Sequence, residues 1–311
     1  PKPAYLRLLE YQRQRMAYPA YTADLPLLFF ILFSRIAAGL SILSVFFPPS
    51  ILWMGTAFFC MVLATAASIT HLTVPVRFLA MTINHRSPLV WEIRLAGAFT
   101  TFLGLQFLSG LGWFYSFRPL FPWINFVLAV FFLFSIGWAY RFETHPAWKT
   151  SILPFYYLAS ASMLGLALRS TGSPSHLLPL YYTVLLLAQA FLLVLYRNHL
   201  KLTSPTSLKK ILMDKGKWVF LAFLWMTFFL PALLTFALLV EGNVEMLNLV
   251  VAISYLTGIF LERVLFFWVE KPIFLLSSIE NPENRGWPWK STSNFLAYWW
   301  SPTSSARRNC N

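Results

Sequence analysis

Two titratable residues at the facing ends of two long apolar segments, His71 and Glu92, are the groups in this sequence best suited to chemistry. His71 ends the segment that begins near residue 51, and Glu92 lies one turn inside the next segment. Titratable side chains at membrane depth are rare and are functional by default. A neutral imidazole can accept a proton from a hydroxyl group, and a nearby carboxylate can carry that proton onward. The pair therefore predicts a proton-transferring site of the kind that oxidation of a quinol requires.

The segment that carries His71 has a face of small residues. Its members, spaced three and four residues apart, are Ala57, Cys60, Ala64, Ala67 and His71. Small residues allow membrane helices to approach closely, so this face is predicted to point into a helix bundle. Stabilisation of the histidine by the negative end of its own helix is an equally good explanation. For Glu92 the structural alternative is a buried ion pair with Arg94 or another basic residue.

The last apolar segment carries Glu262 and Arg263, adjacent residues of GIFLERVLFF. Neighbouring residues of a helix point about 100° apart, so one of the two is expected to face the interior. Arg263 could hold Glu92 or stabilise an oxygen of a quinone, and a structural salt bridge with an acid on a neighbouring helix explains it equally well. Arg35, near the middle of the first apolar segment, needs an internal partner that the sequence does not identify.

The composition indicates which kind of protein must position these groups. Of the 311 residues, 58 % are hydrophobic and 11 % are charged, a composition far from that of soluble domains. Eight segments approach the roughly 20 helical residues that cross a bilayer, and backbone amides in lipid require helices. The sequence therefore predicts an all-α polytopic membrane protein, an eight-transmembrane-helix bundle. The predicted spans are 25–47, 51–71, 89–111, 120–140, 152–168, 177–196, 218–240 and 244–268, with a kink at Pro231.

The charged residues predict the orientation of the chain. The net charge is +13, but Lys and Arg lie between hydrophobic spans and form no continuous basic domain, so nucleic acid is not an expected partner. With eight crossings, 20 of the 24 Lys and Arg residues fall on one side and two on the other. The positive-inside rule then places both termini in the cytoplasm of a multi-pass protein of the cell inner membrane. The 25–268 domain is flanked by cytoplasmic segments 1–24 and 269–311.

Several classes of site are not indicated by the sequence. The first residues lack the apolar stretch of a cleavable signal peptide. Cys60 and Cys310 are too few for a zinc site or a disulfide framework. The other histidines are expected in loops, so the paired ligands of a transmembrane haem are missing. Neither haem nor a metal ion is expected in this chain.

Three segments resemble membrane anchor subunits of the dimethyl sulfoxide reductase family. SITHLTVPVRFLAMTINHRSPLVWEIRLAG is similar to the family's His-Leu-Gly-x-Pro-x-Arg-Ala motif followed by Ser-x-x-x-x-Glu, with Thr73 in place of the usual Gly. YRFETHPAW resembles Tyr-x-x-x-x-x-Pro-x-Trp after the fourth span. GIFLERVLFF resembles Gly-Glu-x-x-x-Arg-x-x-Phe-Tyr in the last span. The resemblance covers about residues 25–270.

The resemblance implies a function, a ligand and partners. An anchor of this family oxidises a quinol, menaquinol being favoured, and passes electrons to a four-cluster iron-sulfur subunit that feeds a molybdopterin catalytic subunit. The family's quinol-oxidising His and Glu correspond to His71 and Glu92, and its last-helix Arg corresponds to Arg263. Arg77, in the first motif, and Glu262 are further candidates for binding the quinone. Whether this anchor counts as an enzyme by itself stays open, because it would carry only the quinone site of the complex.

The predicted orientation departs from that of the family's best-known members, whose catalytic subunits lie outside the cytoplasm. Here the partner subunits are expected on the cytoplasmic face, so protons and electrons would leave on the same side. Three alternatives remain open: an anchor of the polysulfide reductase type that reduces quinone, a small-solute transporter, and a structural anchor without a quinone site. A transporter would need helices broken near the midplane, and Pro231 is the one break that the sequence indicates.

Overall fold

The computed structural model describes residues 20–47, 50–71, 88–139, 150–170, 178–213, 216–241 and 245–269. Within these ranges every regular element is helical, as the apolar segments predict. Most of the predicted flanking segments, 1–24 and 269–311, lie outside the described residues.

Ten α-helices make up the described part of the chain. They are α1 (Ala20–Leu43), α2 (Ile51–His71), α3 (Pro88–Gly110), α4 (Phe121–Ala139), α5 (Ile152–Ser170), α6 (Leu178–Thr203), α7 (Pro205–Met213), α8 (Gly216–Leu224), α9 (Leu230–Glu241) and α10 (Glu245–Val269). A π-helical turn, Trp225–Phe229, joins α8 to α9. A short 3-10 turn, Tyr115–Phe117, precedes α4.

Seven rods among the described residues are long and apolar enough to span a membrane. They are α1, α2, α4, α5, α6, the continuous α8 to α9 rod, and α10. The predicted third span corresponds to α3, which has 23 residues but is not among the seven. Its length suffices, but Glu92, Arg94, Gln106 and several hydroxyl side chains reduce its hydropathy. The all-helical membrane character is therefore confirmed, and the count of eight crossings stays a prediction.

The predicted cytoplasmic loop before Trp218 is largely helical. α6 continues to Thr203 and α7 follows within the segment expected to be irregular. His199 consequently lies in a helix, although a loop position was expected. The physical reason is that α7 has an apolar face, with Leu208 and Ile211 packed against the hydrophobic core. Tertiary packing of that face stabilises a helix too short to persist alone.

The long rods form two groups of four neighbours. In one group α1 packs on α2, α2 on α3, α3 on α4, and α4 on α1. In the other α5 packs on α6, α6 on α9, α9 on α10, and α10 on α5. The groups meet where α5 contacts α1 and α4, and where α10 contacts α1. α1 and α5 are accordingly the most enclosed rods. In the most apolar stretch of each of these helices 67 % of the residues are buried, against 17 % in α6.

Large apolar side chains cover the outside of the outer helices. On α6 Leu187 and Phe191 are 66 % and 63 % exposed, and on α9 Leu233 and Phe236 are 66 % and 68 % exposed. A protein in water rarely leaves so many large apolar groups exposed in continuous patches. Acyl chains solvate such a surface, which is the physical basis for treating these rods as membrane-embedded.

The contact between α1 and α5 depends on two glycines. A β-carbon on Gly165 would lie 2.8 Å from Gly39 Cα, and one on Gly39 would lie 2.9 Å from Gly165 N. Real β-carbons do not approach backbone atoms so closely, so the two backbones are in direct contact at this point. Small residues allow this approach between membrane helices, where dispersion forces rather than water exclusion drive association.

Replacing Gly165 with Ala is expected to lower the free energy of unfolding by about 1–3 kcal/mol, the usual cost of overpacking a close contact. The added methyl group would have to push α1 and α5 apart. Gly97→Ala in α3 is a matched control, because a β-carbon there meets no atom within 4 Å. Reversible unfolding in mixed micelles measures both variants. Equal stability of the two would contradict the backbone contact.

A break in helical geometry occurs near Pro231, as predicted. The π-helical turn Trp225–Phe229 precedes this proline, whose ring and missing N–H disturb the regular bond to the carbonyl group four residues earlier, at Thr227. α10 packs against the turn through Gly258, where a β-carbon would lie 3.2 Å from the backbone nitrogen of Thr227. The π-helical turn is thus stabilised by tertiary packing at Gly258 as well as by the proline.

Candidate functional site

A buried ion pair links the two helix groups. Arg35, in the middle of α1, donates from Nη1 to Glu262 Oε2 at 2.7 Å and from Nη2 to Oε1 at 3.1 Å. Side chains of Arg35 and Glu262 are 1 % and 14 % exposed. Two parallel N–H···O bonds between a guanidinium and a carboxylate form a strong and directional pair. Arg35 therefore has the internal partner that its depth in the first span requires.

Arg263 belongs to the same cluster. Its Nη2 lies 3.5 Å from Glu262 Oε1, and the residue is fully buried. Although Glu262 and Arg263 are adjacent in sequence, both therefore reach the interior, whereas only one was expected to face it. Three roles were considered for Arg263. The structure does not pair it with Glu92, and the acid that it contacts is Glu262 on its own helix, whereas an acid on a neighbouring helix was expected. Its quinone role stays a prediction.

The ring of Tyr157 completes the cluster. The guanidinium carbons of Arg35 and Arg263 lie 4.5 and 4.4 Å from the centre of this ring. Cations over the face of an aromatic ring are attracted by its quadrupole, most strongly where water is excluded. Tyr157 is one helical turn from Ala161 and two turns from Gly165 along α5, so the ring lies on the face that contacts α1.

An apolar cavity of about 460 Å³ lies between α5, α6, α7, α8 and α10. Leu, Ile, Val and Phe side chains form most of its wall, and Tyr156, Tyr196, Arg197 and Glu262 contribute the polar groups. Val194, which is 54 % exposed, also lines the cavity. The cavity therefore reaches the outer surface of α6. Its size falls in the range of about 300–1,000 Å³ that is usual for small-molecule sites.

Tyr156, on the cavity wall, is held by two residues of neighbouring helices. Nε2 of Gln189 in α6 donates to the Tyr156 hydroxyl oxygen at 3.2 Å. The hydroxyl group of Tyr255 in α10 donates to Oε1 of the same glutamine. All three residues are buried. The amide group of Gln189 thus bridges the two phenol groups and positions the Tyr156 oxygen.

Glu92 occupies a different part of the protein. It lies in the second turn of α3, is 7 % exposed, and forms no ion pair with any residue that the structure describes. The predicted alternative of a pair with Arg94 is therefore wrong. α3 packs on α2 and α4, while the cavity is lined by helices of the second group and by α7. Glu92 and Glu262 are thus placed in separate groups.

Two further predicted site residues, His71 and Arg77, lie at or beyond the end of α2. His71 is the last residue of α2, and its side chain lies outside the described part of the chain. Arg77 lies outside it entirely. The convergence of His71 and Glu92 on one pocket therefore stays a prediction, which the packing of α2 on α3 permits.

The structure adds residues that the sequence did not single out. Tyr156, Gln189 and Tyr255 form the hydrogen-bonded group at the cavity. For Glu262, a candidate from the sequence, the structure adds its pairing with Arg35. A buried Gln inside an apolar span is itself a signal, because its amide must find partners. Nothing in the spacing shows which partners those are. Among the described residues, no group of three or more His, Cys, Asp and Glu could hold a metal ion.

No family model matches the chain, and no curated protein matches it. The resemblance to anchor subunits of the dimethyl sulfoxide reductase family therefore stays an expectation based on three sequence motifs.

Proposed function

We propose that this protein is a quinone-reactive membrane anchor subunit that oxidises a quinol, menaquinol being favoured, and delivers electrons to an iron-sulfur subunit of a molybdopterin oxidoreductase complex. Support comes from the motif resemblance and from the apolar, all-helical bundle. The observation that carries the proposal is the environment of Glu92. A carboxyl group that is 7 % exposed and unpaired with any cation among the described residues is unusual in a membrane helix and marks a functional position.

The reaction assigns a separate role to each of the two residues. Oxidation of one quinol to quinone releases two protons and two electrons. His71 accepts the two hydroxyl protons of the quinol one after the other, and Glu92 takes each of them onward. The two electrons pass to the iron-sulfur clusters of the partner subunit. Arg77, Glu262 and Arg263 remain candidates for contacts with the quinone.

The orientation belongs to the proposal as well. We assign the protein to the cell inner membrane. The excess of Lys and Arg on one side of the predicted topology indicates that both termini are in the cytoplasm. The iron-sulfur and molybdopterin subunits then dock on the cytoplasmic face. A reporter fused after Ser291 and active only outside the cytoplasm would contradict this orientation.

Purification of the full chain from its native membrane in mild detergent tests the assignment. We expect a four-cluster iron-sulfur protein and a molybdopterin protein to copurify, and extraction to yield a quinone bound to the complex. Recovery of the chain alone from membranes that contain both proteins would argue for a transporter or an isolated anchor. Copurification without extractable quinone would support a purely structural anchor.

A further inference from the structure

We infer that the cavity beside α6 is a ligand site of its own, in which the Tyr156 hydroxyl group donates a hydrogen bond to an oxygen of a ring dissolved in the membrane. The chemical class is an apolar ring that carries a hydrogen-bond-accepting oxygen. Naming that ring a quinone rests on the proposed function. The site is separate from Glu92, because the described residues that line it belong to α5, α6, α7, α8 and α10, whereas Glu92 is in α3.

The hydrogen bonds around Tyr156 leave one donor unused. Its oxygen accepts from Gln189 Nε2, while Gln189 Oε1 accepts from the Tyr255 hydroxyl group. The hydroxyl group of Tyr156 therefore keeps its own proton for a further acceptor. Among the residues that the structure describes, none accepts this proton. A buried hydroxyl donor on the wall of an apolar cavity costs free energy unless a ligand accepts its hydrogen bond.

The rest of the wall limits what the ligand can be. The charged residues that line the cavity are one anion, Glu262, and one cation, Arg197, so the net charge of the wall favours neither an anionic nor a cationic ligand. Most of the remaining surface is aliphatic or phenyl, which favours a neutral, apolar body. Val194, 54 % exposed, places the opening on the surface of α6 that faces acyl chains. A neutral ring with one or two oxygens, entering from the bilayer, satisfies all three conditions.

A quinone ring fits these groups in both oxidation states. The carbonyl oxygen of the oxidised ring accepts from the Tyr156 hydroxyl group. In the reduced ring the same oxygen still has a lone pair for Tyr156, and a ring hydroxyl group can donate to the Glu262 carboxylate. Arg35 and Arg263 hold that carboxylate in its charged, accepting form. The site therefore binds the ring without requiring a chemical step.

Photolabelling of the full chain in lipid nanodiscs tests the inference. An azido-naphthoquinone is the label, mass spectrometry maps the labelled peptides, and unlabelled competitors measure affinity. Labelled peptides are expected from α6 and α7. Competition by 2-methyl-1,4-naphthoquinone should weaken about tenfold in Tyr156→Phe, the effect of losing one hydrogen bond. Competition by 2-methylnaphthalene, which has no oxygen, should not change.

Two further variants keep the test decisive. Tyr182→Phe is the matched control, because Tyr182 is fully buried, its hydroxyl lies 2.8 Å from Ser170 Oγ, and it does not line the cavity. Its affinities should match the wild type. Leu193→Trp fills the cavity and should abolish labelling of α6 and α7. Equal affinities of the two Tyr variants would overturn the site. Unchanged labelling in Leu193→Trp would overturn it too, and that result does not depend on the folding of Tyr156→Phe.

The outcome also separates this site from the proposed function. Glu92 does not line the cavity, and binding here is measured without quinol oxidation. Labelling of α6 and α7 together with undiminished quinol oxidation by His71 and Glu92 variants would leave the cavity site intact and reject the proposed reaction site. Loss of quinol oxidation in those variants, with no labelling of α6 or α7, would reject the cavity site and support the proposed reaction site.

Discussion

Replacing Glu262 with Gln is expected to lower the free energy of unfolding by about 3–5 kcal/mol, the usual cost of removing one partner of a buried ion pair. The carboxylate lies between two guanidinium groups, at 2.7 Å from Arg35 and 3.5 Å from Arg263. With Gln in its place, these two buried cations lose the negative charge between them and repel each other. Solvent screens that repulsion weakly, because Arg35 and Arg263 are almost completely buried.

Removal of Arg35 should cost less than removal of Glu262. In Arg35→Met the carboxylate keeps Arg263 as a partner, so these two side chains are neutral together. We expect roughly half the loss caused by Glu262→Gln, because one partner remains for the buried charge. Glu262→Gln should lose more free energy of unfolding than Arg35→Met, because the cluster contains two cations and one anion.

Reversible unfolding of the purified chain in mixed micelles measures this order. Arg118→Met is the control, because Arg118 lies in the exposed turn after the 3-10 segment, where substitutions usually change stability by about 0.5 kcal/mol or less. A larger loss in Arg35→Met than in Glu262→Gln would show that the cluster is not organised around the carboxylate.

Replacing His71 with Ala, or Glu92 with Gln, is expected to reduce the rate of quinol oxidation about a hundredfold or more, the usual contribution of one positioned acid or base. Gln keeps the size of Glu92 and its hydrogen-bonding groups but cannot take up a proton. Assembly with the partner subunits should be unchanged. The measurement is quinol-dependent reduction of the partner subunit's clusters in membranes that contain equal amounts of complex.

The control for this pair is His176→Ala. His176 is predicted to lie in the loop at the opposite end of the bundle, so its removal should leave quinol oxidation unchanged. If His71→Ala and Glu92→Gln both keep the wild-type rate while the complex assembles, the reaction site lies elsewhere. If they prevent assembly but leave the rate per assembled complex intact, the two residues are structural.

Most of the helical architecture could be predicted from sequence. Long apolar segments in lipid have no stable alternative to helix, because each backbone amide must bond within its own segment. The bounds of α2 at Ile51–His71 and α5 at Ile152–Ser170 consequently agree with the predicted spans to within a few residues. The kink at Pro231 was predictable for a local reason as well, since proline disturbs helical bonding wherever it occurs. α7 was missed because its helix depends on packing.

Pairings between distant residues could not be predicted in the same way. The depth of Arg35 in the first span showed that it needs an internal partner, but Glu262 lies 227 positions away along the chain. Adjacent positions were expected to point apart, yet Glu262 and Arg263 both reach the cluster, because long side chains can bend toward a common centre. Residue type indicates which groups are costly to bury, and the packing of helices determines which groups meet.

The sequence by itself determined that this is a helical membrane protein, where its long helices lie, and which buried charges need partners. Those properties follow from local physics: hydrocarbon thickness, backbone hydrogen bonding and the cost of charge in lipid. Only the tertiary structure decided that α1 and α5 touch at Gly39 and Gly165, that Glu262 joins Arg35 beside a cavity, and that Glu92 lies in the other helix group. Many helix pairings satisfy the same apolar pattern, so the choice among them depends on the fit of specific side chains.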